Sequence, residues 1–175
     1  MELSELKLQI LKLFKVENID DLGSSLQKCV EKNDVALYDG FCELVEDLNI
    51  DWLQRIYQYY AADREEKKQD LTPKSFAELL GNVVKGADSI IDMCAGTGAL
   101  TIQCWSENKN KSFQLQEIDE NIIPYLLFNM GVRNIECTIH HMDVLKNEIY
   151  KTYKIEKGSK YGIYQEAENE DSRNI

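Results

Sequence analysis

A short apolar run leads directly into a glycine-rich turn in Ser89-Ile90-Ile91-Asp92-Met93-Cys94-Ala95-Gly96-Thr97-Gly98. The first four of these residues are typical of a buried strand in a parallel sheet. After the turn, the sequence predicts a helix that carries Leu100, Ile102 and Trp105. A strand, a tight turn and a helix in this order are the repeating unit of an α/β fold.

The residues that follow continue this alternation of strands and helices. A second strand is predicted over Ser112–Ile118, a helix over about 121–130, and a third strand over Ile135–Ile139. A hairpin is predicted between Thr152–Ile155 and Tyr161–Tyr164. Parallel strands joined through helices require right-handed crossovers. The predicted fold class is therefore α/β, a Rossmann-like doubly wound parallel sheet preceded by an N-terminal helical module.

The N-terminal part of the chain has the spacing of amphipathic helices. Apolar residues recur there at steps of three and four, as in the series Leu3, Leu6, Ile10 and Leu13. We expect a helical bundle that packs on itself or on the following domain. The alternative is a surface for a partner or a substrate, formed by the aromatic side chains of Trp52, Tyr57, Tyr59 and Tyr60.

These patterns divide the chain into three regions. The helical module is predicted over residues 1–62, and the α/β domain with its ligand site over residues 63–165. Where they meet, Ala61–Asp70 is highly charged and has no large apolar residue, so we expect a solvated linker there. Residues 166–175 are acidic and almost free of apolar side chains, and are predicted to be a flexible tail.

The composition limits the partners that the chain can bind by itself. Its 31 acidic and 20 basic residues give a net charge of −11, which opposes extended contact with a phosphate backbone. No apolar run is long enough for a membrane span and the first residues lack a secretory signal, so we expect a cytoplasmic protein with no membrane partner. The five cysteines form no Cys-x-x-Cys pair, so reduced thiols and no metal site are predicted.

Acidic residues near the ends of the three predicted strands mark a ligand site. In an open parallel sheet, ligands lie beyond the carboxyl ends of the strands, where Asp92, Glu117 and Asp143 are expected. Glu117 follows the glycine-rich turn by about 20 residues, a spacing at which a carboxylate can accept hydrogen bonds from both hydroxyls of a ribose. Asp143 is placed to accept from an exocyclic adenine amine, and Ile118 and Met142 offer apolar faces to the ring. Together these residues favour a nucleoside ligand over three solvated acids.

The same residues resemble a known family, the amino-group DNA methyltransferases, and most closely the adenine-modifying subunits of type I restriction-modification systems. The resemblance runs from about Lys67 to Leu145. Asp92 to Gly98 resembles the family's cofactor loop, Glu117-Ile118-Asp119 its ribose-binding element, and Met142 to Leu145 its adenine-contacting element. Gln69 to Pro73 is similar to the segment that folds over the methionine end of the cofactor.

The resemblance implies S-adenosylmethionine as the cofactor and DNA as the partner. The implied cofactor-binding residues are Thr72, Asp92, Cys94, Ala95, Gly96, Gly98, Glu117, Ile118 and Asp143. Given the net charge, we expect DNA to be reached together with a partner subunit or a missing domain. A specificity or restriction subunit is a further candidate partner.

The chain departs from the family at the catalytic motif. Family members carry an Asn or Asp followed by two prolines and an aromatic residue, which hold the target amine and stack on the flipped base. The two prolines here, Pro73 and Pro124, are not adjacent, so the catalytic residues are unknown. We therefore expect the cofactor-binding domain of an adenine-specific (N6) DNA methyltransferase that is truncated or incomplete, and inactive alone. The alternative is a non-catalytic module that binds S-adenosylmethionine or docks on a partner.

Overall fold

A computed structural model describes residues 2–60 and 74–166 of the chain. The part before the sheet forms the helices α1 (Leu3–Leu13), α2 (Leu22–Glu31), α3 (Val35–Leu44), α4 (Trp52–Tyr60) and α5 (Lys74–Val83). The sheet and its connecting helices follow in the order β1 (Ser89–Asp92), α6 (Ala99–Glu107), β2 (Ser112–Glu117), α7 (Ile123–Val132), β3 (Cys137–Asp143), β4 (Glu148–Glu156) and β5 (Ile163–Glu166). The predicted linker, Thr72 and all of the predicted tail except Glu166 lie outside the described residues.

The sheet has five strands in the order β1-β2-β3-β4-β5. Strands β1 to β3 run parallel, whereas β4 pairs antiparallel with β3, and β5 antiparallel with β4. Parallel strands joined through α6 and α7 confirm the Rossmann-like α/β class. Both other parallel strands lie on the same side of β1. Among the described residues, the sheet therefore extends in one direction from β1, and β1 is its edge strand.

Helix α7 lies at the centre of the packing. All ten of its residues are buried, as expected of a helix that is apolar on nearly every side. Its Phe128 ring contacts the rings of Phe14, Tyr38 and Phe41 at centroid distances of 5.4, 5.2 and 5.0 Å. Helices α1 to α4 therefore share one buried core with the sheet. The division of the chain at residue 62 stays a prediction.

The two faces of the sheet have different chemistry. On the face covered by the helices, Phe113 and Leu115 of β2 and Ile139 of β3 are buried. On the opposite face, Gln114 and His140 are half-buried, and the Nε2 atoms of their side chains lie 3.0 Å apart. This alternation is typical of a sheet with one face toward the core and one toward water.

Strand β1 is more exposed than the sequence predicts. The side chain of Ile91 is 60% exposed, so the prediction of burial is wrong at this position. The reason is that β1 is an edge strand with a neighbour on one side only. Helix α5 carries the apolar side chains of Phe76, Leu79 and Val83, and these are also exposed.

The third strand is longer than predicted. It was expected to end before His140, but β3 continues to Asp143 because β4 pairs with it along this whole length, with Asp143 opposite Glu148. The predicted hairpin is confirmed, since β4 and β5 pair antiparallel with Ile155 opposite Tyr164. The pairing of this hairpin with β3 was not predicted.

Membrane spans, thiols and metal ligands can be examined directly in the described residues. No helix within residues 2–60 and 74–166 has the length and apolar character that crossing a membrane requires. All five cysteines are free, and burial raises the pKa of the Cys29 thiol to about 12. In the same part of the chain, no group of three or more His, Cys, Asp or Glu side chains is placed to hold a metal ion.

Candidate cofactor-binding site

The three predicted acids lie at one edge of the sheet. Asp92 is the last residue of β1, Glu117 of β2 and Asp143 of β3. Because these strands are parallel, their carboxyl ends meet at the same edge. Asp92 is in register with Leu115, so Glu117 extends β2 by two residues beyond it. This is the edge at which open α/β sheets bind their ligands.

The glycine-rich loop after β1 bends over the end of β2. The Ala95 N–H donates to the Gln116 carbonyl at 3.0 Å, and the Gly96 N–H donates to Glu117 Oε2 at 2.8 Å. A tight turn follows, in which the Gly98 N–H donates to the Ala95 carbonyl at 2.8 Å. The loop is therefore fixed to the strand that carries Glu117.

Two glycines give the loop its backbone shape. Gly96 has a φ of +55° and Gly98 a φ of +94°, in the left-handed region that disfavours a Cβ atom. A Cβ on Gly98 would also lie 2.7 Å from Met130 Cε and 2.9 Å from Leu126 Cδ1 of α7. Helix α6 can thus begin directly against α7, and its first turn offers free N–H groups to an anion.

Glu117 shapes the loop as well as the site. It is 8% exposed, and its Oε2 accepts from Gly96 while its Oε1 accepts from the N–H groups of Ile118 and Asp119 at 2.8 Å each. A carboxylate has about four acceptor positions, so one remains for a further donor such as a ribose hydroxyl. Accepting from both hydroxyls of a ribose requires one of the three backbone donors to share its position.

Asp92 and Asp143 have opposite electrostatic environments. Burial raises the pKa of Asp92, whose carboxylate accepts long hydrogen bonds from the Cys94 N–H at 3.4 Å and the Thr101 hydroxyl at 3.3 Å. The Lys146 ammonium, 3.0 Å from Asp143 Oδ2, and the Lys146 N–H lower the pKa of Asp143. Asp143 is therefore a fixed anion, whereas Asp92 keeps weak partners that a ligand donor can replace.

The other predicted site residues differ in accessibility. Ile118 is 58% exposed and Cys94 is exposed, so both side chains are open to a ligand. Ala95 is buried within the loop. Met142, predicted to offer a second apolar face to a ring, is only 3% exposed and does not present its side chain. Thr72 lies outside the described residues.

The residues that support the loop from inside the protein were not predicted from the sequence. The Thr97 hydroxyl donates to Asp51 Oδ2 at 2.7 Å, and Asn129 Nδ2 donates to the Thr97 carbonyl at 2.8 Å. One signal was readable: Asp51 precedes α4 as a helix N-cap, and its Oδ1 accepts from the Gln54 N–H at 2.8 Å. Its contact with the loop, 46 residues away, leaves no local signal.

A cavity of about 640 Å³ lies beside the strand ends, on the face covered by the helices. Aromatic and polar side chains line much of it, among them Tyr57, Asn121, Tyr125, His141 and Lys151. His141 lies between the cavity and the predicted site, and its Nε2 is 3.1 Å from the Ile118 carbonyl oxygen. None of the described cofactor-binding candidates lines this cavity, so the two are separate.

Comparison with known protein families gives a match. Residues 48–160 match the family model for N-6 DNA methylases, a stretch that covers more than half of the chain. The chain belongs to the N-6 DNA methylase family. This membership confirms the resemblance to DNA methyltransferases at the level of the family. Comparison of the chain with curated proteins and with solved structures gives no match.

The region that matches the family model contains more of the candidate site than its three acids. The matched residues include the three strand-end acids, the glycine-rich loop and helices α4 to α7. The match begins at residue 48, so the loop with Asp51 also lies inside it. The helix that Asp51 caps therefore lies within the region that matches the family model.

Proposed function

We propose that the chain binds S-adenosylmethionine as the cofactor-binding domain of an adenine-specific (N6) DNA methyltransferase of the restriction-modification type. The observation that carries this proposal is that Asp92, Glu117 and Asp143 end three neighbouring parallel strands beside a glycine-rich loop. A nucleoside offers the donors that such acids accept, namely two ribose hydroxyls and an exocyclic amine. Membership in the N-6 DNA methylase family favours a methyl donor over a dinucleotide.

Each residue has a role that suits its position. Glu117 accepts from the ribose, Asp143 accepts from the adenine amine, and the exposed Ile118 lies against the ring. The backbone at Gly96 and Gly98 approaches the methionine part, whose carboxylate is attracted to the N-terminus of α6. When bound, the cofactor supplies the activated methyl group.

The remaining candidates lie around the methionine part of the cofactor. Asp92, whose present hydrogen bonds are long, accepts from a donor of the cofactor, and Cys94 and Ala95 form the wall of the loop beside it. Thr72 belongs to the segment that resembles the family's cover over the methionine end. Because Thr72 lies outside the described residues, its proposed role rests on this resemblance alone.

We propose further that this chain alone transfers no methyl group to DNA. Transfer forms a bond from the methyl carbon to adenine N6, breaks the bond from that carbon to the sulfonium sulfur, and releases a proton from N6. The target base must leave the stack, which costs a few kcal/mol, and its amine must be held in line. The sequence has no adjacent prolines to supply the family's motif, and the three acids are engaged by the cofactor. Another segment or a partner then has to hold the base.

Calorimetry tests the binding proposal. We expect the isolated chain to bind S-adenosylmethionine or its demethylated product at about micromolar strength, near −8 kcal/mol. Glu117→Ala and Asp92→Ala should each weaken binding by about 1 to 3 kcal/mol, because polar groups of the cofactor lose their acceptor. An unaltered protein that gives no heat at high micromolar concentrations would contradict the proposal.

A non-catalytic binding module is the second candidate, and the absence of adjacent prolines favours it. The discriminating experiment incubates the purified chain with radiolabelled S-adenosylmethionine and unmethylated genomic DNA, with and without the products of neighbouring genes. Incorporation only with a partner supports a split methyltransferase. No incorporation in either case supports the binding module. Incorporation by the chain alone contradicts the proposed inactivity.

We propose that the chain binds DNA together with a partner subunit. The net charge of −11 predicts that the chain alone binds duplex DNA weakly, with a shallow dependence on salt. A specificity or restriction subunit that supplies a basic surface should make binding tighter and more sensitive to salt. Fluorescence anisotropy at two salt concentrations measures both quantities. Tight binding by the chain alone at physiological salt would show a local basic face and contradict this role for a partner.

A further inference from the structure

The loop before α4 holds a carboxylate inside the protein. Asp51 is 5% exposed. Three separate parts of the chain donate to it: the Gln54 N–H at 2.8 Å and the Asn129 amide at 3.0 Å reach Oδ1, and the Thr97 hydroxyl reaches Oδ2 at 2.7 Å. Burial raises the pKa of Asp51. A buried carboxylate is tolerated only when it is hydrogen-bonded, so these three donors are integral to the packing here.

A buried cation balances this carboxylate through Asn129. Arg133 Nη1 donates to Asn129 Oδ1 at 2.8 Å, and the Nδ2 atom of the same amide donates to Asp51. The guanidinium also donates to the carbonyls of Leu48 at 2.7 Å and Ile50 at 3.0 Å. Burial lowers the pKa of Arg133 to about 10, which leaves it charged at neutral pH. Helix α7 thus fixes both the backbone and the carboxylate of the loop before α4.

Thr97 connects this network to the glycine-rich loop. It is 1% exposed and lies between Gly96 and Gly98, both of which have left-handed φ angles. Its hydroxyl is held by Asp51 and its carbonyl by Asn129. Because glycines restrict the backbone so little, contacts at the residue between them are needed to select one shape of the loop.

We propose that Asp51 is a positioning residue for the cofactor loop: through Thr97 it holds the loop in the shape that admits the cofactor. When a loop already has its bound shape, binding costs less free energy for ordering it. The support from Asp51 should therefore increase the affinity for the cofactor. The role in affinity rests on the proposed binding of S-adenosylmethionine, whereas the role in loop shape does not need a ligand. The helical segment before the sheet then contributes to the site as well as to the core.

The first test compares two substitutions at one position. Thr97→Val removes the hydroxyl at nearly constant volume, and Thr97→Ser keeps it. At a temperature at which circular dichroism shows every variant folded, calorimetry should find S-adenosylmethionine binding weakened about tenfold in Thr97→Val and less than about threefold in Thr97→Ser. Asp51→Asn should also weaken binding, because the carboxylate accepts from both Thr97 and Asn129, and both of these hold the loop.

Tyr161→Phe is the matched control. It removes a hydroxyl that donates to Asp39 Oδ1 at 2.6 Å, a contact between α3 and the β4–β5 connection rather than with the loop. It should lower the melting temperature and leave the affinity unchanged, which shows that lost stability alone does not weaken binding. Equal affinity of Thr97→Val and the unaltered protein would overturn the positioning role.

A measurement on the protein without ligand separates this role from the proposed function. If the unaltered chain binds no S-adenosylmethionine, the proposed function fails, but the amide signals of Gly96 and Gly98 in NMR spectra still report the loop. Thr97→Val should shift these signals and speed their hydrogen exchange, and Thr97→Ser should not. Signals that stay unchanged in Thr97→Val would overturn the role whether or not the cofactor binds.

Discussion

The loop after β1 and the turn after β3 lie at the same edge of the sheet, but they are held in different ways. Distant groups hold the loop: Glu117 accepts from Gly96, 21 residues away, and Asp51 accepts from Thr97, 46 residues away. The turn is held from within, since Asp143 accepts from both the N–H and the ammonium of Lys146, three residues away. The loop therefore depends on the whole fold, and the turn on its own residues.

This difference suits the conformational freedom of each segment. The loop contains two glycines with positive φ, so its sequence alone leaves many shapes open. The turn presents a single carboxylate that a neighbouring cation already fixes. Substitutions far from the loop should therefore disturb the site, whereas substitutions in the turn should stay local. The following experiments test that contrast.

The largest effect should come from the buried guanidinium. Arg133→Met removes the donors to Leu48, Ile50 and Asn129 and leaves Asp51 without its balancing charge. We expect a loss of about 3 to 5 kcal/mol in the free energy of unfolding, because a buried carboxylate loses its compensating cation and buried acceptors lose their donors. Urea denaturation measures it. The control is Arg55→Met, an exposed cation whose guanidinium lies 4.8 Å from the centroid of the Trp52 ring and whose loss should change stability by less than about 1 kcal/mol. Equal losses in the two variants would contradict the dependence on distant partners.

Within the loop, Gly98→Ala should have the next largest effect. The new Cβ would take an L residue to a φ of +94° and lie against Met130 and Leu126. We expect a loss of about 1 to 3 kcal/mol in thermal or chemical unfolding, together with weaker cofactor binding. Gly86→Ala is the matched control, since a Cβ there meets nothing within 4 Å and should be nearly neutral. A stable Gly98→Ala variant would show that the loop tolerates other backbone shapes.

The acids of the two segments should titrate on opposite sides of an ordinary aspartate, near 3.8. Asp92 has a raised pKa, so its folded form binds the proton more tightly, and its protonation stabilises the fold as pH falls through the raised value toward 3.8. Asp143 has a lowered pKa, so its contribution is present above 3.8 and is lost as pH falls through the lowered value. Carbon-13 NMR of the side-chain carboxyls measures both. Titrations that coincide would remove the contrast.

The smallest effect on stability should come from the turn. Lys146→Ala removes an ammonium whose side chain is 69% exposed, and solvent screening makes such pairs weak. We expect no measurable change in the midpoint of urea denaturation. The pKa of Asp143 should rise toward its ordinary value, while that of Asp92 stays unchanged as the internal control. A loss of stability comparable to that of Arg133→Met would show that the turn is not local.

The sequence predicted the parts of the fold that depend on neighbouring residues. Ser89–Asp92 was predicted as a strand with the bounds that the structure has, because an apolar run and a glycine-rich turn are local signals. Strand order is a property of pairing between distant segments. The position of β1 at the edge and the pairing of β4 with β3 therefore could not be read from periodicity.

The candidate site also has parts that were predicted from the sequence and parts that were not. The placement of Asp92, Glu117 and Asp143 at one edge followed from the sequence, because parallel strands bring their ends together. The support of the loop by Asp51 and Asn129 did not follow. Asp51 looks like an ordinary N-cap and Asn129 like a polar interruption in an apolar helix, and only the folded chain shows that they meet.

The contacts of α7 with the loop before α4 also predict an order of events during folding. Asn129 reaches Asp51 across 78 residues, and Arg133 reaches the Leu48 carbonyl across 85. Closing so long a segment costs chain entropy before any contact offsets it, so these bonds form after the local helices and the β4–β5 hairpin. During synthesis on the ribosome, the glycine-rich loop emerges well before α7, so its contacts with α7 cannot form until α7 has emerged. A nascent chain therefore acquires a cofactor-ready loop only once α7 has emerged.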